Sequence, residues 1–102
     1  MIVLVDDDAL IRMTWEMAAK KANLELKSYD SFNALMAEIS QYTHETTFYF
    51  DSQLGENIRG EIEAQKLYDL GFEKLYLCSG LTFKPEDLPH YVLAALSKRP
   101  PF

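Results

Sequence analysis

The sequence has 102 residues, of which 48% are hydrophobic, and this length predicts one domain, over residues 1–102, with one hydrophobic core. The net charge of −6 argues against binding to nucleic acid or to an anionic membrane, because both need clustered Lys and Arg. The sequence has one cysteine, Cys78, which excludes an internal disulfide and permits a reducing cytoplasm, the expected location. Its first apolar run is too short for a signal sequence or a membrane span.

The chain begins with a strand pattern, a helix pattern and a second strand pattern. The continuous apolar run at residues 2–5 is typical of a strand buried on both faces of a parallel sheet. A helix is predicted from residue 9 to about residue 21, and one of its stripes consists of Leu10, Met13 and Met17. Alternating apolar positions at residues 24–28 then predict an edge strand.

The middle of the chain continues this alternation. Asp30 or Ser31 is expected to cap a second helix, on which apolar side chains recur at helical spacing: Phe32, Leu35, Met36 and Ile39. The β-branched and aromatic segment TTFYFD predicts a third strand that ends in Asp51. The stretch at residues 52–60 reads as a loop because it contains two glycines.

The last part of the chain adds further elements of both kinds. A third helix is predicted over residues 61–70, with Gly71 as its C-terminal stop. The segment at residues 74–79 predicts a fourth strand, and a short helix is expected to begin near Pro85. Residues 92–98 predict a fifth strand, so the whole pattern is that of an α/β fold with a parallel sheet and helices on both faces.

Chemically reactive side chains follow four of these strands. They are Asp6–Asp8 after the first strand, Asp51 after the third, Ser79 after the fourth and Lys98 after the fifth. Because the carboxyl ends of parallel strands lie on one edge of the sheet, we expect these residues to meet there. Carboxylates at this edge could hold Mg²⁺, which prefers oxygen ligands, and the ion and the lysine together could neutralise a phosphoryl group. Asp51 could then be the nucleophile that accepts that group.

Four segments, in order, resemble the receiver domain of two-component response regulators. VLVDDDALIR is similar to the first strand and acidic pair of that family, and FYFDSQLGENIRGEIEAQKLYDLGF resembles its phosphoacceptor segment. LYLCSG matches the strand that ends in Ser or Thr, and LSKRPPF resembles the lysine-proline element after the fifth strand. The resemblance covers essentially the whole chain and implies a doubly wound, flavodoxin-like sheet of five parallel strands in the order 2-1-3-4-5.

The resemblance also implies a role for each matching residue. Asp6 and Asp7 would be the metal-binding acidic pair, and Asp51 would bind the metal and become phosphorylated. Gln53 would contribute its backbone carbonyl to the metal, Ser79 would be the switch hydroxyl and Lys98 would contact the phosphate. The phosphoryl group would come from a sensor histidine kinase or a phosphotransfer protein, in a Mg²⁺-dependent reaction that is not a turnover activity.

The sequence departs from the receiver pattern in several places. Lys84-Pro85 is a second lysine-proline pair, but choosing it leaves almost no room for the fourth helix and the fifth strand, so Lys98 is preferred. The aromatic switch residue of the family lies three positions before the lysine, and Ala95 stands there. The final helix is missing, so we expect an uncovered face on strands four and five, which a second copy could cover across a two-fold axis.

Two other functions fit parts of the sequence. Asp6 and Asp8 match the Asp-x-Asp motif of haloacid-dehalogenase phosphohydrolases, in which Asp6 would be the nucleophile and Asp8 the general acid. The chain could also be a receiver-like interaction module that is not phosphorylated. The simplest structural interpretation of the three aspartates is capping of the first helix, and Trp15 and Cys78 are expected to pack in the core.

Overall fold

The structure is a computed structural model, and it describes residues 1–51, 60–78 and 88–102. Its strands are β1 Ile2–Val5, β2 Leu26–Tyr29, β3 Thr47–Asp51, β4 Leu75–Cys78 and β5 Ala94–Leu96. Its α-helices in the described residues are α1 Ala9–Lys21, α2 Phe32–Met36 and α3 Gly60–Asp69, and a 3-10 turn spans Ile39–Gln41. None of the described helices is long and apolar enough to cross a membrane.

The five strands form one sheet in the order β2-β1-β3-β4-β5, and every neighbouring pair is parallel. The predicted fold class and strand order are therefore confirmed. β1 lies between β2 and β3, which explains its continuous apolar sequence, because a central parallel strand is covered on both faces. This order puts the ends of β1 and β3 side by side, with Val5 paired to Phe50.

Alternate residues of the strands build two cores on opposite faces of the sheet. On one face, α2 and α3 pack against Val3, Val5, Phe48 and Phe50. On the other face, Trp15 of α1 packs against Leu4 and Cys78. We call these the α3-side core and the α1-side core. The period of two along each strand sends neighbouring side chains to opposite faces, so the same short strands supply both cores.

Helix α1 has the predicted bounds, but its predicted stripe does not face the sheet. Leu10, Met13 and Met17 are each more than half exposed, whereas Trp15 and Ala19 are buried. Trp15 is the largest apolar side chain on the helix, and burying it removes more apolar surface from water than burying a methionine would. Rotation of the helix to bury the indole therefore leaves the Leu-Met stripe in solvent.

The second and third helices differ from their predictions only at their ends. The Ser31 side chain accepts a hydrogen bond from the backbone N–H of Ala34 and so caps α2, which ends at Met36. Ile39 lies in the 3-10 turn that follows, instead of on the helix. α3 ends at Asp69, and Gly71 has a positive φ of 99°, as expected for a helix stop.

The fourth and fifth strands are shorter than predicted. β4 ends at Cys78, and β5 covers only Ala94–Leu96 of the predicted residues 92–98. The predicted loop at 52–60 and the short helix near Pro85 fall largely on residues 52–59 and 79–87, which lie outside the described residues.

No helix follows β5 in the described residues 97–102, but the α1-side face is not bare. Phe102 packs in the α1-side core and meets the ring of Trp15 edge-on, with ring centroids 5.6 Å apart. The predicted face on β4 and β5 is therefore covered in part by this chain itself, near Trp15. Tyr49 and Tyr76 stack on each other on the same face and remain partly exposed.

The turn after α3 leads to a stability prediction at Gly71. A Cβ at this position would lie 3.0 Å from Cε1 of His44, and its φ of 99° is unfavourable for any L side chain. We expect Gly71→Ala to lower the free energy of unfolding by about 1–2 kcal/mol, measured by urea denaturation. Asn23, whose φ is 56°, is the matched control, and Asn23→Gly should change the stability by less than about 0.5 kcal/mol. Equal losses in both variants would contradict this assignment.

Candidate functional site

The site begins at Asp6, the residue that follows β1. Its side chain is fully buried, and its Oδ1 accepts a hydrogen bond of 2.9 Å from the backbone N–H of Asp8. Nη1 of Arg12 donates to the Asp6 backbone carbonyl at 2.7 Å. Oδ2 of Asp6 is also buried, and it accepts no hydrogen bond from the described residues. A buried carboxylate oxygen without a donor is costly, so Oδ2 is well suited to be a ligand atom.

Two further carboxylates lie beside Asp6. Asp51 is the last residue of β3 and is 4% exposed, and Asp7 is exposed at the rim. One carboxylate oxygen from each of the three residues lies within 4.8 Å of the others. The parallel order of the sheet brings these residues together, because β1 and β3 are neighbours that end at the same edge.

Lys98 supplies a positive charge to this cluster. Its Nζ lies 3.2 Å from Oδ2 of Asp51 and 3.7 Å from Oδ2 of Asp6. The second distance is short enough for an ion pair but too long for a hydrogen bond, so it leaves the Asp6 oxygen without a donor. Of the two lysines considered from sequence, Lys98 therefore lies at the acidic cluster, while Lys84 falls outside the described residues.

The cluster raises the pKa values of both its buried acid, Asp6, and its base, Lys98. Burial raises the pKa of Asp6 above its ordinary value of 3.8, and the charges of Asp51 and Asp7 raise it further, against the lowering effects of the Asp8 N–H and Lys98. Burial lowers the pKa of Lys98, but the hydrogen bond to Asp51 and the acidic charges outweigh it and raise that pKa. In the part of the chain that the structure describes, the three carboxylates face the ammonium group of Lys98, and clustered carboxylates of this kind favour a nearby cation.

A divalent ion with a preference for oxygen fits these donors. Three carboxylates converge on one point, and the orphaned Oδ2 of Asp6 is a ready ligand atom. Mg²⁺ is held in proteins by one or two carboxylates with water and phosphate oxygens, which suits a site that has both buried and exposed acids. Asp6, Asp7 and Asp51 could therefore hold such an ion.

Asp8 has a different task from its two neighbours. Its side chain accepts hydrogen bonds from the backbone N–H groups of Leu10 and Ile11, so it caps α1. It does not belong to the convergent group of Asp6, Asp7 and Asp51. The capping interpretation is thus right for one aspartate of the three. A role for Asp8 as a general acid would require it to leave the helix terminus.

Several other residues named from sequence can now be placed. Cys78 is buried beside the site, and burial, with the charges of Asp6 and Asp51, raises the pKa of its thiol to about 12, so it is a core residue and not a reactive thiolate. Ala95 lies in β5 and packs against the α3-side core, so no aromatic ring occupies that position. Gln53 and Ser79 lie outside the described residues.

Sequence reasoning missed one residue next to the site, Trp15. Its indole Nε1 donates a hydrogen bond of 2.9 Å to the backbone carbonyl of Lys98. The spacing of Ile11, Trp15 and Ala19 indicates that these side chains share one helix face. No local pattern could reveal the partner, because the two bonded residues are 83 positions apart in sequence.

Comparison with known proteins shows which fold this is. No family model matches the chain, and no curated protein matches it. Among solved structures, it is similar to the N-terminal domain of a response regulator/sensory box/GGDEF protein from Carboxydothermus hydrogenoformans, with a TM-score of 0.77, 15% identity and coverage of 95% of this chain and 80% of that chain. A CheY-like receiver domain from Methanospirillum hungatei gives a TM-score of 0.71 at 20% identity and covers 99% and 82% of the two chains.

A third similar structure is the BeF3-activated receiver domain of DrrB, with a TM-score of 0.74, 17% identity and coverage of 99% of this chain and 84% of that chain. At such low sequence identities, the structural similarity is evidence for the fold alone. The strand order, the parallel sheet and these matches agree, so the chain has the fold of the response-regulator receiver domains that its sequence resembles.

Proposed function

We propose that residues 1–102 form one receiver-like signalling domain that accepts a phosphoryl group on Asp51. The donor is a phosphohistidine on a sensor histidine kinase or a phosphotransfer protein, and the output is contact with another protein. One observation carries this proposal: Asp51 lies 3.2 Å from Lys98 Nζ and beside the carboxylates of Asp6 and Asp7. This arrangement combines a nucleophile, a cation for phosphate oxygens and ligands for a metal at one sheet edge.

The proposal includes a resident Mg²⁺ ion. Asp6, Asp7 and Asp51 would hold it with their carboxylates, and Gln53 would add its backbone carbonyl. When bound, the ion supplies positive charge that stabilises a phosphoryl group during transfer. Two observations on the described residues support this assignment: the buried Oδ2 of Asp6 accepts no hydrogen bond from them, and the three carboxylates converge.

The transfer itself is a displacement at phosphorus. An oxygen of the Asp51 carboxylate attacks the phosphorus of the phosphohistidine, so an O–P bond forms while the N–P bond breaks. The electron pair of that N–P bond stays on the imidazole nitrogen, which is then protonated from solvent. Lys98 contacts the phosphoryl oxygens through its ammonium group, and Ser79 through its hydroxyl. The domain keeps the phosphoryl group as a signal, so it is not a turnover enzyme.

The proposed setting is a reducing cytoplasm without nucleic-acid or membrane partners. Cys78 is a buried free thiol, which suits such a compartment. The net charge of −6 opposes contact with phosphate backbones and anionic lipid.

We also propose a homodimer through the α1-side face of β4 and β5. Tyr76 and Leu96 lie on this face and are only partly buried, although large apolar side chains on a parallel sheet are normally covered. Phe102 covers the part of the face near Trp15, so the uncovered area is smaller than the sequence suggested. A second copy related by a two-fold axis could cover the rest.

Phosphoryl acceptance is tested directly with a small donor. Incubation with acetyl phosphate and Mg²⁺ should add one phosphoryl group to the intact chain, seen by mass spectrometry, because Asp51 is the nucleophile. Asp51→Asn should abolish the addition, since an amide cannot form the acyl phosphate. Asp69→Asn, a substitution at the end of α3 with the same change of charge, is the control and should accept normally.

Two results would point to the other functions considered from sequence. An unmodified wild-type chain would favour an interaction module that is not phosphorylated. Sustained release of phosphate from a generic phosphate ester would favour the phosphohydrolase that uses Asp6 and Asp8.

Metal binding is tested by thermal unfolding. Magnesium at ten times its Kd should stabilise the wild type by about 1.4 kcal/mol, which corresponds to a rise in Tm of about 5–10 °C. Asp6→Asn should remove this rise and increase the Tm of the metal-free protein at pH 7, because it eliminates a buried charge. Asp8→Asn is the matched control, since Asn also caps helices well, and it should keep the magnesium effect.

The pH dependence of the free energy of unfolding is a second test of the burial of Asp6. The pKa of Asp6 is higher in the folded than in the unfolded chain, so the folded chain binds the extra proton. Acidification through the folded-state pKa towards 3.8 should therefore recover stability in the wild type relative to Asp6→Asn. A constant difference between the two proteins over this range would contradict burial of an ionised Asp6.

The dimer is tested by light scattering at micromolar concentration. The wild type should have twice the mass of one chain, and Tyr76→Glu should be monomeric because it places a charge on the partly exposed face. Tyr68→Glu, at an exposed position on α3, is the control and should remain dimeric. A strictly monomeric wild type would exclude the homodimer.

A further inference from the structure

Lys98 lies beyond the end of the sheet, on a segment with little regular structure of its own. β5 ends at Leu96, and no helix or strand spans the described residues 97–102. β5 is three positions from β1 in the sheet, a separation of about 14 Å at the usual strand spacing. Nevertheless Nζ of Lys98 reaches within 3.7 Å of Asp6, which directly follows β1. The side chains of Lys98 and Asp6 must span most of this separation, so the position of the Lys98 backbone decides whether its ammonium group reaches the acids.

Trp15 makes the contact that holds this segment. Its Nε1 donates 2.9 Å to the carbonyl oxygen of Lys98 itself, and its ring meets Phe102 edge-on. The indole is fully buried and also packs against Tyr49 at 5.1 Å, so its own position is well determined. A donor fixed by packing against Tyr49 and Phe102 restricts where the bonded carbonyl can lie.

Trp15 also belongs to the helix that starts at the acidic turn. α1 begins directly after Asp8, its N-cap, and Arg12 of the same helix donates to the Asp6 carbonyl. One rigid helix therefore contacts the backbone of the acidic residue and, one turn further on, the backbone of the lysine. The acid and the ammonium group are aligned through this helix, although they come from opposite ends of the chain.

We propose that Trp15 is a positioning residue: its indole N–H holds the Lys98 backbone so that the lysine ammonium group lies at Asp51, where the phosphoryl group is accepted. This inference rests on the proposed function. A lysine side chain has four rotatable carbon–carbon bonds and no preferred end point, so its backbone anchor decides how often Nζ reaches Asp51. The carboxylate ligands do not depend on this anchor, since Asp6 and Asp7 directly follow β1 and Asp51 is the last residue of β3.

The test compares phosphoryl acceptance with Mg²⁺ affinity in Trp15→Phe. Acceptance from acetyl phosphate at saturating Mg²⁺ should slow about three- to tenfold, the effect of losing one orienting hydrogen bond. The Mg²⁺ affinity should stay within about twofold of wild type, because the three carboxylates are untouched. Tyr42→Phe is the matched control: it removes an aromatic hydroxyl that is hydrogen-bonded to Tyr29, away from the site, and should accept at the wild-type rate.

A double-mutant cycle separates positioning from general stability. In a Lys98→Ala background, Trp15→Phe should cause no further slowing, because there is no ammonium group left to position. An equal slowing in both backgrounds, or a parallel loss of Mg²⁺ affinity, would overturn the proposal and assign Trp15 to the core alone. The wild type is measured first. If it accepts no phosphoryl group, that result refutes the proposed function, whereas a failure seen only in the comparison of variants refutes the role of Trp15.

A second replacement covers the case in which Trp15→Phe does not fold. Trp15 is the one tryptophan of the sequence, so biosynthetic incorporation of benzothienylalanine changes this position alone. The benzothiophene ring keeps the size and packing of indole but has a sulfur atom in place of the N–H. The same slowing of acceptance is expected, and acceptance at the wild-type rate would refute the role of the N–H.

Discussion

Burial of carboxylates at the end of a parallel sheet is the constraint on which this structure depends. Asp6 and Asp51 are almost entirely removed from water, yet they stand side by side with Asp7 at the rim. Such a group is unfavourable without compensating positive charge, and among the described residues Lys98 brings an ammonium group to both buried acids. Carboxylates held together in this way are ligands suited to a cation.

The two ends of the chain meet at this site, and one helix joins them. β1 supplies the first acids, the segment after β5 supplies the ammonium group, and Trp15 of α1 contacts that segment directly. Phe102 packs in the same core, so the terminal segment covers part of the α1-side face of the sheet. β5 has only three residues, and the segment that follows it gains further contacts with α1 through Trp15.

Local patterns predicted the elements well and their orientation less well. The bounds of α1, the cap at Ser31 and the stop at Gly71 depend on residues within one or two turns, and the sequence contains those residues. The prediction of which face of α1 is buried was wrong because the helix carries two apolar stripes. Only packing against the sheet decides which of them is buried. The sheet has space for an indole between Leu4 and Cys78, so the methionine stripe faces solvent.

By itself, the sequence determined the alternation of strands and helices, the parallel fold class and the set of chemically capable residues at the strand ends, because each depends on a period or on a near neighbour in the chain. Only the tertiary structure decided that Asp8 is a cap while Asp6 and Asp7 converge with Asp51, that Lys98 reaches them, and that Trp15 holds Lys98. Those choices depend on contacts between distant segments. Such contacts are set by how the helices pack on the sheet, and no local sequence pattern encodes the partner of a side chain 83 residues away.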